Sequence, residues 1–379
     1  MQSKKLLLVC QTFGYLVADI AKTFQESGRY EKIVLLTGEP QNLNSYGLEG
    51  VEVDTMFPYN KMSMRTRFVS WMRGFRDIRR KVKNKYQDYE LFLFSNPGTI
   101  SFLHRFCSND YYTFTWDLFP DGFLTSNTLK RFKLLIRFWG NNNKKFYAKA
   151  KAVFCLSEGM ATAMGKYFPK EKIRVVPLWS NDRLKVLNVA KQDNLFLQKN
   201  GLTKKFIVQY SGNMGQGHAL GTLVEAANLL REYKDICFLF IGEGWLKPYL
   251  QKQVADLGLE ESCLFLPYQP VEMLPYSLSC SDISVVSLHD VSVSMPSKTF
   301  DILHMGKPVI CIADPRSSLS KFVNENGFGE CFTKDQTKQV ADFILKSYKE
   351  PSFLATYSEN SKRCGKIYTR ENQATKFLI

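Results

Sequence analysis

Short apolar runs recur along the chain, each followed by a longer stretch with helical spacing. In the first half the runs are Leu6–Cys10, Lys32–Leu36, Leu91–Phe94, Tyr112–Thr115, Ala152–Leu156 and Arg174–Pro177. In the second half they are Phe206–Tyr210, Cys237–Ile241, Leu264–Leu266, Ile283–Ser287 and Pro308–Ile312. Several are continuously apolar rather than alternating, as strands covered on both faces of a parallel sheet are. Strand and helix in alternation predict doubly wound α/β architecture. The pattern restarts at Phe206 after the polar stretch Ser180–Lys205. The expected organisation is therefore a first domain over 1–182, a linker over 183–205 and a second domain over 206–352. Helices over 353–379 are expected to pack back on the first domain. In such folds ligands sit at the carboxyl ends of the strands, where helix N-termini converge.

Three glycine- or proline-marked turns follow strands of the second half. Y-S-G-N-M-G-Q-G-H (Tyr210–His218) puts Gly212, Gly215 and Gly217 between a strand and a helix, so backbone can approach a phosphate closely. The spacing is not G-x-G-x-x-G, so a dinucleotide fingerprint is not supported. Asn213 and His218 add polar groups; the alternative is a plain glycine turn. I-G-E-G-W holds Gly242 and Glu243, and F-L-P-Y-Q-P holds Tyr268; each either borders a base or sugar pocket or is a simple turn or packing element. The segment V-S-M-P-S-K-T-F-D (Val293–Asp301) turns through Pro296 into a helix expected to begin at Ser297 and Lys298. Helix starts leave N–H groups unpaired and carry partial positive charge. Lys298 is poorly placed there unless an anion offsets it, while Asp301 lies one turn on. Backbone donors and a cation for phosphate, with a carboxylate for hydroxyls, match a sugar nucleotide; the alternative is an ordinary i, i+3 ion pair. In the first half, F-T-W-D-L-F-P-D-G places Asp117 at a strand end among aromatics, where a carboxylate is costly unless used or paired. It is the candidate for orienting or deprotonating a hydroxyl. Asp121 reads as a helix cap.

Composition narrows the class. At 379 residues, 45% hydrophobic and 23% charged, the chain is long enough for two domains. No apolar run is long enough to span a membrane, and the apolar stretch at the N-terminus is too short for a signal peptide. Nine scattered cysteines with no C-x-x-C point to reduced thiols in a cytoplasm, and the four histidines show no metal-ligand spacing. Of the net charge of +15, all but two units fall in residues 1–180. That half carries two basic, aromatic segments: Lys61–Lys85, with Arg76, Arg79, Arg80 and Lys81, and Leu129–Trp139, with Lys130 and Arg131. Such segments suit an anionic bilayer surface; solvated helix faces are the alternative.

These pieces in this order resemble the family-4 glycosyltransferases, in the branch that builds bacterial surface polysaccharides. W-D-L-F-P-D, C-L-S-E-G-M (Cys155–Met160), V-P-L-W-S-N (Val176–Asn181) and P-S-K (Pro296–Lys298) carry the likeness. It implies the GT-B fold, two Rossmann-like domains facing a central cleft. It implies transfer of a sugar from a nucleotide-diphosphate sugar, UDP-linked for preference, with retained configuration. Gly212, Asn213, His218, Ser297 and Lys298 then hold the diphosphate and Asp301 the ribose, with Gly242, Glu243, Tyr268 and Pro296 at the rim. The family's G-R-x-x-x-x-K has Asn213 and His218 in place of Arg and Lys. The first Glu of its E-x7-E is Val293, for which Ser292 or Ser294 is the expected substitute. No D-x-D occurs, so no required metal and no cofactor are expected. The acceptor is expected to be a lipid-linked or saccharide hydroxyl near Asp117, at the inner face of the plasma membrane. A non-catalytic partner subunit of the same fold and a sugar-nucleotide epimerase are the alternatives. A nucleic-acid binder is disfavoured because no recognised module is present.

Overall fold

The structure, a computed structural model, describes residues 4–42, 46–60, 62–123, 133–181, 184, 189–288, 293 and 295–378. The chain forms two compact units: residues 1–177 with 371–379, and residues 178–370.

The first unit is built on strands β1 (Lys5–Cys10), β2 (Lys32–Thr37), β3 (Val51–Thr55), β4 (Glu90–Phe94), β5 (Tyr111–Thr115), β6 (Ala152–Cys155) and β7 (Ile173–Val175). They pair in parallel in the order β3-β2-β1-β4-β5-β6-β7. Helices α1 (Tyr15–Glu26), α2 (Met64–Asn84), α3 (Lys133–Lys149) and α4 (Glu158–Met164) connect them. The central strands are buried because both faces are covered: Leu6, Leu7, Leu8 and Phe92 have no exposed surface.

The second unit repeats the plan with β8 (Phe206–Ser211), β9 (Ile236–Ile241), β10 (Cys263–Leu266), β11 (Ile283–Leu288), β12 (Val309–Ala313) and β13 (Gly329–Phe332). Their order is β10-β9-β8-β11-β12-β13, again all parallel. Its helices are α5 (Leu195–Lys199), α6 (Gly221–Leu229), α7 (Lys247–Leu257), α8 (Leu274–Ser279), α9 (Lys298–His304), α10 (Ser318–Asn326), α11 (Thr337–Lys349) and α12 (Ala355–Ile367). In each sheet the order reverses beside the first strand, at β1/β4 and at β8/β11. Crevices for ligands open at such switch points.

The unit boundaries differ from those expected. The stretch read as a linker carries α5, capped by the Asn194 side chain, with Phe196 and Leu197 fully buried in the second unit's core. Residues 353–370 also stay with the second unit. Ser358 Oγ donates to the Gly306 carbonyl at 2.7 Å and Ser361 Oγ to the Lys307 carbonyl at 2.9 Å, which lays α12 against α9. Only the last residues join the first unit. There Phe377 meets Phe92, Phe114 and Phe154 with ring centroids 5.4, 4.9 and 4.9 Å away.

Candidate functional site

A cleft of about 280 Å³ opens at the β8/β11 switch point. Tyr210, Ser211, Gly212, Asn213, His218, Val285–Leu288 and Met295–Lys298 line it. The lining loop that begins at Gly212 is joined through its backbone to a second loop, 242–246, outside the lining. The Gly212 amide donates to the Ile241 carbonyl at 2.9 Å. The Met214 amide donates to the Glu243 carbonyl at 2.8 Å, and the Met214 carbonyl accepts from Leu246 at 2.8 Å. Side chains at the crossing would prevent this. Gly242 has φ +135°, and a Cβ on it would overlap the Gly212 carbonyl oxygen. Gly244 has φ +150°, and a Cβ there would lie 2.5 Å from the Met214 carbonyl oxygen. The glycines of I-G-E-G-W therefore permit loop-to-loop contact. Gly242 and Glu243 do not line the cleft. Glu243 is exposed and pairs with Lys247 at 2.7 Å. Tyr268 is 55% exposed, its ring 3.3 Å from where a Gly242 Cβ would sit.

His218 enters the cleft wall at the end of the glycine loop. Its Nδ1 donates to the Ser287 carbonyl at 2.7 Å, which leaves Nε2 as the ring's other polar position. Burial pushes its pKa down, and the bond to Ser287 partly offsets this. The Ser287 hydroxyl accepts from the Ala219 amide at 2.9 Å, so one strand residue fixes both the histidine and the helix entry. Ser287 is a site residue that the pattern reading did not single out. The available signal was a buried serine at the end of an otherwise apolar strand.

The wall opposite is Met295–Lys298. Helix α9 begins at Lys298, one residue later than expected. The Thr299 and Phe300 amides are spent on the Pro296 and Ser297 carbonyls, both at 3.0 Å, so fewer amides face an anion than the sequence promised. Lys298 remains 41% exposed and lies 3.2 Å from Asp301. Asp301 is only 4% exposed and does not line the cleft. It accepts from Lys298 and, at 3.3 Å, from the Asn181 amide. Burial raises its pKa, and Lys298 counters that most. Its oxygens are thus engaged by Lys298 and the Asn181 backbone. Ser292 and Ser294 lie outside the described residues.

In the first unit, Asp117 stands just past β5 and is solvent-exposed. The Ser95 hydroxyl accepts from the Trp116 and Asp117 amides at 3.1 and 3.0 Å and so fixes the turn. Surrounding protein pushes its carboxyl pKa up, and the Arg67 charge pulls it down. Asp121 accepts from Lys166 and, at 2.7 Å, from the Tyr167 hydroxyl.

The two basic segments share one surface. The 3-10 helix Gly98–Arg105 packs against both α2 and α3. On one side Phe75 meets Phe106 at 6.1 Å, and Arg79 stacks over Phe106 at 4.1 Å. On the other, Phe102 stacks on Phe138 at 5.9 Å, and Arg105 lies 5.2 Å from the Phe138 ring centre. Met62, Met64, Phe68, Val69, Met72, Leu134, Leu135 and Phe138 are exposed around them, Met62 at 90% and Leu134 at 84%. Arg76 is exposed, and Arg80 reaches Asp77 at 3.6 Å. Lys81 does not belong to this surface. It is paired with Asp54, which also takes the Tyr86 hydroxyl at 2.7 Å and is held well below the usual carboxylate range. Lys130 and Arg131 lie outside the described residues. Among those described, no helix is long and apolar enough to cross a membrane.

Comparison with known proteins agrees with this architecture. HepE of Anabaena, solved with UDP and glucose, superposes with a TM-score of 0.74 at 15% identity, over 99% of this chain and 98% of that one. The probable glycosyltransferase WbjE of Pseudomonas aeruginosa is 23% identical over 224 residues, 56% of this chain and 53% of its own. The putative colanic acid biosynthesis glycosyl transferase WcaI of Escherichia coli is 26% identical over 223 residues, 58% of this chain and 54% of its own. The chain thus spans about half the length of the curated relatives it matches. Residues 192–364, which include every residue lining the cleft, match the family described as glycosyl transferases group 1. The chain has the GT-B fold, two Rossmann-like units, and its residues 192–364 match the glycosyl transferases group 1 family.

Proposed function

We propose that this protein transfers a sugar from a UDP-sugar to a hydroxyl of a lipid-linked or saccharide acceptor in surface polysaccharide synthesis. The observation that carries the reading is the cleft at the β8/β11 switch point, with its backbone-joined glycine loops on one side and Lys298 on the other. HepE, whose fold this chain shares, was solved with UDP and glucose. In this reading Lys298, Asn213 and the Nε2 of His218 meet the diphosphate. Tyr268 offers its ring to the base. Asp301 acts through Lys298, as a positioning residue. As the bond to the sugar breaks, negative charge grows on the departing UDP, and a fixed cation stabilises that charge best in a site that excludes water. With Lys298 supplying the positive charge, the reading requires no divalent ion. Retention of anomeric configuration belongs to the same reading.

The acceptor enters from the first unit, with Asp117 closest to the reacting hydroxyl; its raised pKa brings it nearer the range of a general base. The exposed apolar and basic surface of α2, the 3-10 helix and α3 rests on the anionic inner face of the plasma membrane. A partner subunit without turnover is favoured by one observation, the Val293 that stands where the family has its first Glu.

The test is transfer itself. Radiolabelled UDP-glucose, UDP-galactose, UDP-N-acetylglucosamine and GDP-mannose are each offered with a bacterial lipid extract. Label from one UDP-sugar should enter the organic phase, with EDTA present or absent. UDP binding without transfer from any donor points to the non-catalytic subunit, and conversion of the donor sugar without an acceptor points to the epimerase.

A further inference from the structure

Six of the nine cysteines lie on strands, and among the described residues one pair of them is directly opposed. Cys311 on β12 is the register partner of Cys331 on β13 in their parallel ladder. Register partners on adjacent strands lie about 4.8 Å apart, within the roughly 4.4–6.8 Å that a disulfide spans between Cα atoms. Both thiols also reach the same residue of α10, so they stand on one face of the sheet. Cys331 Sγ donates to the Ser320 carbonyl at 3.6 Å, and Cys311 Sγ lies 4.0 Å from the Ser320 hydroxyl. Cys237 and Cys263, on the adjacent strands β9 and β10, lack this relation. Cys263 is opposite Phe238, so Cys237, one residue back, is turned to the other face.

The opposed thiols differ in access and in acidity. Cys311 and Ser320 have no exposed surface, whereas Cys331 is half-buried on an edge strand. The Cys311 thiol donates toward the Cys331 sulfur, which draws the Cys331 pKa below its ordinary value; the same bond and burial push that of Cys311 up. The reachable thiol is therefore the more readily ionised, and the thiolate is the reactive form.

We propose that Cys331 and Cys311 are a reversible modification site, joined by hydrogen peroxide into a disulfide that ties the edge strand β13 to β12. The Cys331 thiolate attacks one peroxide oxygen, the O–O bond breaks, and the other oxygen takes up a proton and leaves as water. Cys331 is then a sulfenic acid. The Cys311 thiol gives up its proton and its sulfur attacks that of Cys331. The S–O bond breaks, and a second water departs. Two thiols lose two electrons and two protons, and one peroxide is reduced to two waters. A dithiol reverses the bridge by exchange and is itself oxidised to a disulfide. The ring so closed contains all of α10, and closing it restricts the unfolded chain.

The full chain is treated under native conditions with a small excess of hydrogen peroxide, denatured, alkylated with iodoacetamide and mapped by mass after tryptic digestion. The peptides carrying Cys311 and Cys331 should leave as one linked species, lighter by two hydrogens and separated again by dithiothreitol, with the other seven of the nine cysteines alkylated. The unfolding midpoint should rise by about 5 °C on oxidation and fall back on reduction. In Cys311→Ser the Cys331 sulfenic acid should persist and be trapped by dimedone. In Cys331→Ser the buried Cys311 should stay reduced. Three results on wild type overturn the proposal: both thiols still alkylated after peroxide, Cys331 carried to sulfinic acid beside a free Cys311, or linkage spread over other cysteines. A linked pair whose formation lowers the midpoint overturns the tie between the strands. The wild-type map decides even where a serine variant fails to fold.

Discussion

The outward face of α2 offers a surplus of exposed side chains, whereas the cleft of the second unit depends on a lining loop braced backbone to backbone. On α2, Trp71, Gly74, Ile78 and Val82 already satisfy the core, yet Met64, Phe68, Val69 and Met72 stand exposed among arginines. Helix α11, also amphipathic, shows no such surplus: Val340, Phe343 and Ile344 are buried, and no large apolar residue on it is exposed. Apolar residues beyond what a core needs mark a surface for a partner. At the cleft, by contrast, two loops are held close by Gly212, Gly242 and Gly244. The difference teaches where substitution will be tolerated. The α2 surface can lose binding without losing stability, whereas at the glycine crossing that braces the cleft loop the two should fall together.

The largest effect is expected at Gly242. Gly242→Ala places a methyl group on the Gly212 carbonyl at a φ that side chains rarely adopt. It should cost about 2–4 kcal/mol of stability and abolish UDP binding together. Urea unfolding and a UDP titration on the same sample check this. A stable Gly242→Ala protein with normal UDP affinity would break the backbone half of the comparison. On the other side, Met64→Ser with Phe68→Ser and Met72→Ser should lower partitioning onto phosphatidylglycerol vesicles about tenfold or more, by removing apolar contact area. Its unfolding midpoint should barely move, since exposed positions contribute little to stability. Lys338→Gln with Lys346→Gln on α11 is the matched control and should leave vesicle binding unchanged. If the α2 variant sediments with vesicles as wild type does, α2 is an ordinary solvated face.

Much of the fold was legible in the sequence, and the failures have physical causes. Most strands that announced themselves are central ones, whose two covered faces demand continuous apolar runs, and the edge strands β7 and β10 were foreseen as well. The two that did not, β3 and β13, are edge strands: V-E-V-D-T and G-E-C-F leave polar residues on open faces. The supposed linker misled because Asn194, Phe196 and Leu197 sit among lysines and glutamines that hide their burial. The cleft itself was legible at His218 and Pro296–Lys298, because strand ends and helix starts are local features. Gly242 was read as a ligand contact because its real neighbour, Gly212, is distant in sequence and meets it through backbone alone. Lys81 looked like a surface cation because its partner Asp54 lies on an edge strand that was not foreseen. The burial of Asp301 and its contact with the Asn181 amide were not legible, because spacing reveals neither.

The central claim is that the β8/β11 cleft holds the diphosphate of a UDP-sugar through Lys298. Calorimetric titration of UDP into wild type and Lys298→Ala tests it most directly. The account predicts saturable binding by wild type and an affinity about tenfold or more lower in Lys298→Ala, the loss of one charge-assisted contact, with the unfolding midpoint retained. Equal affinity in the two proteins, or no binding by wild type, would contradict it.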